Sequence, residues 1–193
     1  MNESYLSTLM QNKDYRYFRY PYLFEGDTQK KRDTIREYLF THHYKVAQVT
    51  TDFEDYLWNN AYVRCVKKKD NQSIEWLKKS YIEQALKSIK VAHIQSQLIF
   101  KRDIKQILLL HIGVFDALML DDLLTTFERH QIKFISLPEA LQDKAYQINP
   151  NIVSKHTGGF LDQMMLAKKI QPPNFVKNFI ANIPEKKINN LCR

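Results

Sequence analysis

The chain is poor in cysteine, in glycine and in long apolar runs. Its two cysteines, Cys65 and Cys192, form no C-x-x-C spacing, which excludes a cysteine-based structural zinc site and leaves a single disulfide open. Only 4 glycines in 193 residues disfavour an all-β chain with many glycine turns. The richest apolar stretch, residues 107–120, is interrupted by polar residues and is too short to span a bilayer.

The composition that remains is that of a folded, basic chain. Apolar residues make up 44% and charged residues 26%, which excludes disorder and collagen. The net charge of +8 suits an anionic partner such as nucleic acid, an acidic glycan or a membrane surface. The lysine runs 67–69 and 186–187 stand without any nucleic-acid-binding motif, so we predict no nucleic-acid partner. We expect no secretion signal at the start of this chain, and its localisation stays open.

Predicted strands alternate with predicted helices along the first 143 residues. The strands cover 15–19, 45–50, 107–110 and 133–136, and the longest helix covers 73–100. This alternation predicts an α/β fold with parallel strands, open or barrel-shaped. Residues 1–143 are predicted as one domain, and residues 144–193 as a C-terminal tail that packs on it or is partly loose.

Polar side chains follow three of these strands. Arg19 follows the first strand, Asp52 and Asp55 follow the second, and His111 follows the third. Because the carboxyl ends of parallel strands meet on one face, we expect these groups to converge on one rim. Such a set supports acid–base chemistry, and the aromatics beside it suit stacking on a sugar or a base.

Each of these residues also has a structural alternative. Arg19 can pair with a helix carboxylate, the two aspartates can cap a loop, and His111 can be a core histidine held by hydrogen bonds. Three polar strand ends arising for unrelated reasons would be a coincidence, and this favours a site.

The same three segments resemble motifs of a known family. They are Arg-Tyr-Pro-Tyr at 19–22, Asp-Phe-Glu-Asp-Tyr at 52–56, and a run of aliphatics ending in histidine at 107–111. Their order and strand-end placement are similar to the third, fourth and fifth motifs of the polysaccharide deacetylases, the NodB-homology group also called carbohydrate esterase family four. Tyr56 stands where that family usually has tryptophan. The resemblance covers residues 15–141.

The resemblance implies a fold and a reaction. The fold would be the C-terminal portion of a distorted (β/α) barrel of the NodB-homology type, present here as an incomplete barrel. The reaction would be hydrolysis of the N-acetyl amide of N-acetylglucosamine in chitin or peptidoglycan, assisted by a divalent metal of the zinc type. The family often works at the cell envelope.

The resemblance also implies roles for single residues. His111 would be the general acid for the leaving amine, Asp52 would hold and tune that histidine, and Arg19 would orient the catalytic base. The substrate pocket would be lined by Tyr22, Tyr56 and Leu109.

Two family motifs have no counterpart in this sequence. They supply the aspartate base and the metal ligands, including His-x-x-x-His, and they precede the arginine motif. The 18 residues before Arg19 contain no histidine, and His42 and His43 are adjacent, which is not a chelating spacing. We therefore expect no metal ligands in this chain and no activity from the chain alone.

A barrel without its first strands exposes unpaired strand edges. We expect self-association, or a partner that supplies the lost N-terminal half. The alternative is a non-catalytic glycan-binding or assembly module that retains the pocket without the metal.

Overall fold

Helices make up most of the chain in the computed structural model, which describes residues 3–11, 13–153, 158–181 and 183–193. The elements in chain order are α1 (Glu3–Met10), β1 (Tyr17–Phe18), α2 (Gln29–Thr41), β2 (Lys45–Val46), α3 (Tyr56–Lys68), α4 (Asn71–Phe100), α5 (Val114–Arg129), α6 (Leu137–Ala140), α7 (Phe160–Ala167), α8 (Asn174–Ala181) and α9 (Glu185–Asn190).

Extended segments run parallel and side by side. β1 pairs with β2, with Tyr17 opposite Lys45. Beyond β2, Thr51 forms a parallel bridge with Leu108, and the amide of Leu109 donates to the carbonyl of Thr51 at 2.9 Å. The prediction of helices combined with parallel strands is therefore confirmed, although helix dominates.

The predicted strand lengths are wrong. β1 and β2 have two residues each, and 107–110 contributes one bridge. Residues 133–135, predicted as a strand, form no backbone hydrogen bond to any other described residue. Strand propensity alone does not build a ladder, because each strand needs a neighbour with which to pair. The described segments form a two-stranded sheet and one isolated bridge, and they show no sign of the expected barrel.

Helices α3, α4 and α5 surround the main core. Its buried centre includes Phe53, Trp58, Tyr81 and Phe115. α4 has 30 residues and spans about 45 Å at 1.5 Å per residue. α3 begins at Tyr56, where the Trp58 ring is fully buried and its Nε1–H donates to a serine of α4 at 2.9 Å.

The start of the long helix differs from the sequence prediction. α4 begins at Asn71, because the carboxylate of Asp70 accepts a hydrogen bond from the amide of Ser73 and caps the helix. On α2, Leu39 and Arg32 are buried, and Phe40 is 81% exposed.

The described residues after 143 pack on the rest of the chain. α7 lies against α4, and α9 lies against α3. A disulfide joins Cys65 of α3 to Cys192, so the pairing left open by the sequence is present. The Arg64 guanidinium also donates to the carbonyls of Ile188 and Leu191. Among the described residues, no helix combines the length and apolarity needed to cross a membrane.

Candidate functional site

The carboxyl ends of the three parallel segments lead to one cavity of about 800 Å³. Six of the residues singled out from the sequence line this cavity, although they are spread over more than ninety residues of chain; the seventh, Asp55, lies behind the wall and contacts His111. The six that line it are Arg19, Tyr22, Asp52, Tyr56, Leu109 and His111. The convergence expected from parallel strands is therefore observed, while the role of each residue stays a prediction.

The imidazole of His111 is held by Asp55. Its Nδ1 lies 2.6 Å from Asp55 Oδ1, and its backbone amide donates to Asp55 Oδ2 at 2.6 Å. Asp55 is fully buried, so its carboxylate has these partners instead of water. A carboxylate at Nδ1 favours the tautomer with the proton on that nitrogen, which leaves Nε2 for chemistry in the cavity.

Asp55, and not Asp52, makes the hydrogen bonds to this histidine in the structure, while the role expected for Asp52 stays a prediction. Asp52 Oδ1 accepts a hydrogen bond from the amide of Glu54 at 2.8 Å, which is a local loop contact. Asp55 occupies the N-cap position of α3 but caps nothing with its side chain, so its carboxylate turns to His111. One helical turn of sequence separates the two carboxylates, and the sequence alone does not show which one reaches the ring.

Asp52 remains a charged wall of the cavity. Burial raises the pKa of the Asp52 carboxyl above its ordinary value, and the charge of Asp55 adds to this rise. The positive charges of His111 and Arg19 act in the opposite direction. Arg19 makes no ion pair within 4 Å among the described residues, so the pairing with a helix carboxylate that the sequence left open is not observed.

Aromatic rings frame the mouth of the cavity. Tyr22 is fully exposed and has a φ of 55°. A left-handed backbone costs a bulky residue about 1 kcal/mol or more, so the surrounding loop imposes this conformation. The Tyr56 ring meets the His111 ring edge to face at 5.1 Å between centroids. Both tyrosines therefore present ring surface beside the histidine.

Sequence reasoning missed the wall that residues 158–183 contribute. This wall includes Gly158, Gly159, Asp162 and Ile183. A Cβ on Gly159 would lie 2.9 Å from the carbonyl oxygen of Val49, so glycine allows this close approach to the strand side. Two of the four glycines stand together at 158–159, and that pairing was the signal available in the sequence.

The zinc type of metal implied by the resemblance does not fit the described residues. No group of three or more His, Cys, Asp or Glu side chains among them is placed to hold a metal ion. His42 lies at the end of α2, where its Nδ1 meets the carbonyl of Tyr38, and it is not part of the cavity. We therefore derive no step through a metal.

A second cavity of about 790 Å³ lies between the extended segments. We call it the trough. Its walls are mostly apolar and come from residues 17–19, 104–108 and 132–135. The exposed aromatic Phe134 stands on the segment that has no backbone pairing. The trough is therefore bordered by two extended segments, β1 and 132–135, and backbone hydrogen bonds between them are absent among the described residues.

Comparison of the chain with known protein families, with curated protein sequences and with solved structures finds no match.

Proposed function

We propose that this chain carries the acid side of a metal-dependent polysaccharide deacetylase, which hydrolyses the N-acetyl amide of glycans that contain N-acetylglucosamine. One observation carries the proposal. Residues of three motifs, similar in order and type to those of the family, line a single cavity in which a histidine is held by a buried carboxylate.

The chemistry assigns a task to each group. Amide hydrolysis adds water to the carbonyl carbon and breaks the C–N bond, and the departing nitrogen must gain a proton to leave as an amine. Protonated His111 donates that proton from Nε2, and the Asp55 carboxylate at Nδ1 stabilises the imidazolium before the transfer. Arg19 orients the catalytic base, and the carboxyl of Asp52 acts on His111 through its charge.

The glycan would be held by the apolar and aromatic parts of the cavity. Tyr22 and Tyr56 offer ring faces on which a sugar stacks, and Leu109 offers an apolar contact for the acetyl methyl group. In this proposal the catalytic base and the metal ligands come from outside the described residues, so the chain alone is inactive.

The trough supports a more specific proposal about the fold. We propose that the chain is the later portion of a NodB-type barrel and that the trough is where the remaining strands pack. Lys105 and Lys133 stand among the apolar side chains that line it, and the extended backbone at 133–135 has unpaired groups that an added strand can bind. Without those strands, Phe134 and Ile135 present apolar surface to water.

Self-association through this surface can be measured by sedimentation velocity. We expect concentration-dependent association of the unmodified chain and a marked reduction in the Phe134→Lys variant. Phe40→Lys is the matched control, because Phe40 is also exposed but lies on α2, away from the trough. A monodisperse monomer of the unmodified chain would contradict the proposal.

The function is tested by calorimetric binding of an N-acetylated chito-oligomer, with the de-N-acetylated oligomer for comparison. We expect the acetylated oligomer to bind more tightly, and His111→Ala to weaken its binding about fivefold, the equivalent of one lost hydrogen bond. His130→Ala is the control, because His130 is exposed at the end of α5. Absence of binding would contradict the function.

Measurement of acetate release tests whether the chain alone is active, separately from whether it binds the glycan. With zinc or cobalt added, we expect no release from the chain alone. Robust turnover would contradict the argument that the metal ligands are missing.

A non-catalytic glycan-binding or assembly module is the second candidate. The exposed tyrosines in a cavity without a metal-ligand group among the described residues favour it. It predicts oligomer binding that neither a chelator nor His111→Ala changes, and this result would replace the first proposal.

A further inference from the structure

A third ionisable group lies behind the His111–Asp55 pair, and the reaction as proposed does not use it. Asp116 stands in the first turn of α5 and is 6% exposed. The Tyr81 hydroxyl donates to Asp116 Oδ1 at 3.0 Å. The other carboxyl oxygen, Oδ2, is buried with no partner for an ionised carboxylate among the described residues. The side chain and the negative charge of Asp55 are among the causes that raise the pKa of the Asp116 carboxyl, so the two carboxyl groups are neighbours.

These contacts leave one arrangement that satisfies the polar atoms. Both oxygens of Asp55 already accept from His111, at 2.6 Å each. Two buried carboxylates in contact repel one another if both are ionised. A proton on Asp116 Oδ2 removes one charge and gives the unpartnered oxygen a hydrogen bond to Asp55.

Among the residues that the structure describes, no cation forms an ion pair with Asp116 to keep it ionised. The groups that face it are Asp55 at the start of α3, Tyr81 on α4 and the backbone amide of its own helix. Burial raises the pKa of Asp116 to about 6, and the negative charge of Asp55 contributes to the rise.

The carboxyl of Asp116 fits closely against the neighbouring backbone, which indicates that the fold fixes its position. A Cβ on Gly113 would lie 2.5 Å from Asp116 Oδ2 and 3.0 Å from Asn59 Oδ1. Glycine at this position leaves the room that the Asp116 carboxyl occupies.

We infer, building on the proposed function, that Asp116 is a positioning residue for the His111 acid: its neutral carboxyl donates a hydrogen bond to Asp55 and keeps Asp55 ionised and aimed at Nδ1–H. The competing role is that of an ionised carboxylate interacting with the N-terminal dipole of α5. The two roles differ in the protonation state of Asp116.

The protonation state can be read directly. Carboxyl ¹³C signals of the unmodified chain are followed against pH by NMR, and Asp116→Asn and Asp121→Asn assign the two resonances. We expect Asp116 to titrate near pH 6. Exposed Asp121 on the same helix supplies the comparison resonance, and an aspartate in an unfolded chain has an ordinary pKa of about 3.9. Titration of Asp116 near that ordinary value would overturn the inference, because no proton would then be available to donate.

The positioning effect has its own measurement, the hydrogen-bonded Nδ1–H proton signal of His111. We expect Asp116→Ala to broaden or lose this signal, and Asp116→Asn to retain it because the amide keeps a donor. Asp121→Ala is the control. A signal unchanged in Asp116→Ala would overturn the inference. If that variant does not fold, the carboxyl titration of the unmodified chain still decides.

Neither measurement uses a glycan or a metal. Failure of the deacetylase proposal therefore leaves the buried pair testable, and failure of the buried pair leaves glycan binding untouched.

Discussion

The helical side and the strand side of the molecule differ in how densely they are packed. On the helical side, α3, α4 and α5 enclose a core of aromatic rings and hold Asp55 against His111. On the strand side, two-residue strands border an open trough. The Asp55–His111 pair thus belongs to the densely packed helical side. The deacetylase proposal adds further strands to the other side, where strand edges are unpaired among the described residues.

The largest expected contrast is between two phenylalanines. Phe53 is fully buried in the helical core, and Phe134 is 48% exposed beside the trough. We expect Phe53→Ala to lower the free energy of unfolding by about 3–5 kcal/mol, and Phe134→Ala by less than about 1 kcal/mol. Urea unfolding of both variants measures the difference. Equal losses would mean that the strand side is as well packed as the helical side.

The disulfide is the next test of the helical side. Cys65 and Cys192 are separated by 127 positions, so their bond restricts a large part of the unfolded chain. Replacement of both by alanine should cost about 2–4 kcal/mol of stability. Thermal unfolding of the unmodified chain with and without reductant should show the same loss, and an unchanged melting temperature would contradict it.

Asp55 and Asp52 sharpen the comparison within the site. Asp55→Ala removes the acceptor of two hydrogen bonds from His111, and we expect a loss of about 2 kcal/mol. Asp52→Ala removes one part-buried loop contact and should cost about 1 kcal/mol. Chemical denaturation of the matched pair checks this. A larger loss for Asp52 would reverse the assignment of the histidine's partner.

The last expected effects concern the pH dependence of stability. One carboxyl on each side of the molecule contributes to it, and the two contributions change with pH in opposite directions. Asp143 lies beside the trough, where the Arg102 hydrogen bond lowers the pKa of Asp143 to about 2. Its contribution is present above pH 4 and is lost as the pH falls towards 2. The raised pKa of Asp116, about 6, gives a contribution that is full below pH 4 and is lost as the pH rises through 6.

These two groups together predict greatest stability near pH 4, with a change of about 2 kcal/mol on each side. Urea midpoints measured between pH 2 and pH 7 test this. Asp143→Asn should flatten only the acid limb, and Asp116→Asn only the limb above pH 4. A single variant that flattens both limbs would show that the assignment is wrong.

The sequence predicted the part of the fold that depends on order along the chain. Because parallel strands end on one face, the sequence alone predicts that Arg19, Asp52 and His111 lie at one cavity. The sequence could not show whether Asp52 or Asp55 contacts His111, since this depends on where α3 begins. The burial of Trp58 decides that point, and it is a tertiary contact with α4.

The strand lengths failed for a related reason. Residues 133–136 have the composition of a strand, yet pairing depends on a neighbour that the sequence of the segment does not specify. The wall from Gly158 to Ile183 was missed because it is brought to the cavity by α7 and by the segment before α9.

The central claim is that three strand ends form one glycan-binding cavity. Backbone amide shifts of the ¹⁵N-labelled chain, followed during titration with an N-acetylated chito-oligomer, test it most directly. The account predicts that the largest shifts cluster at Arg19, Tyr22, Asp52, Tyr56, Leu109 and His111. Shifts that instead cluster on the trough, scatter over the surface or do not occur would contradict it.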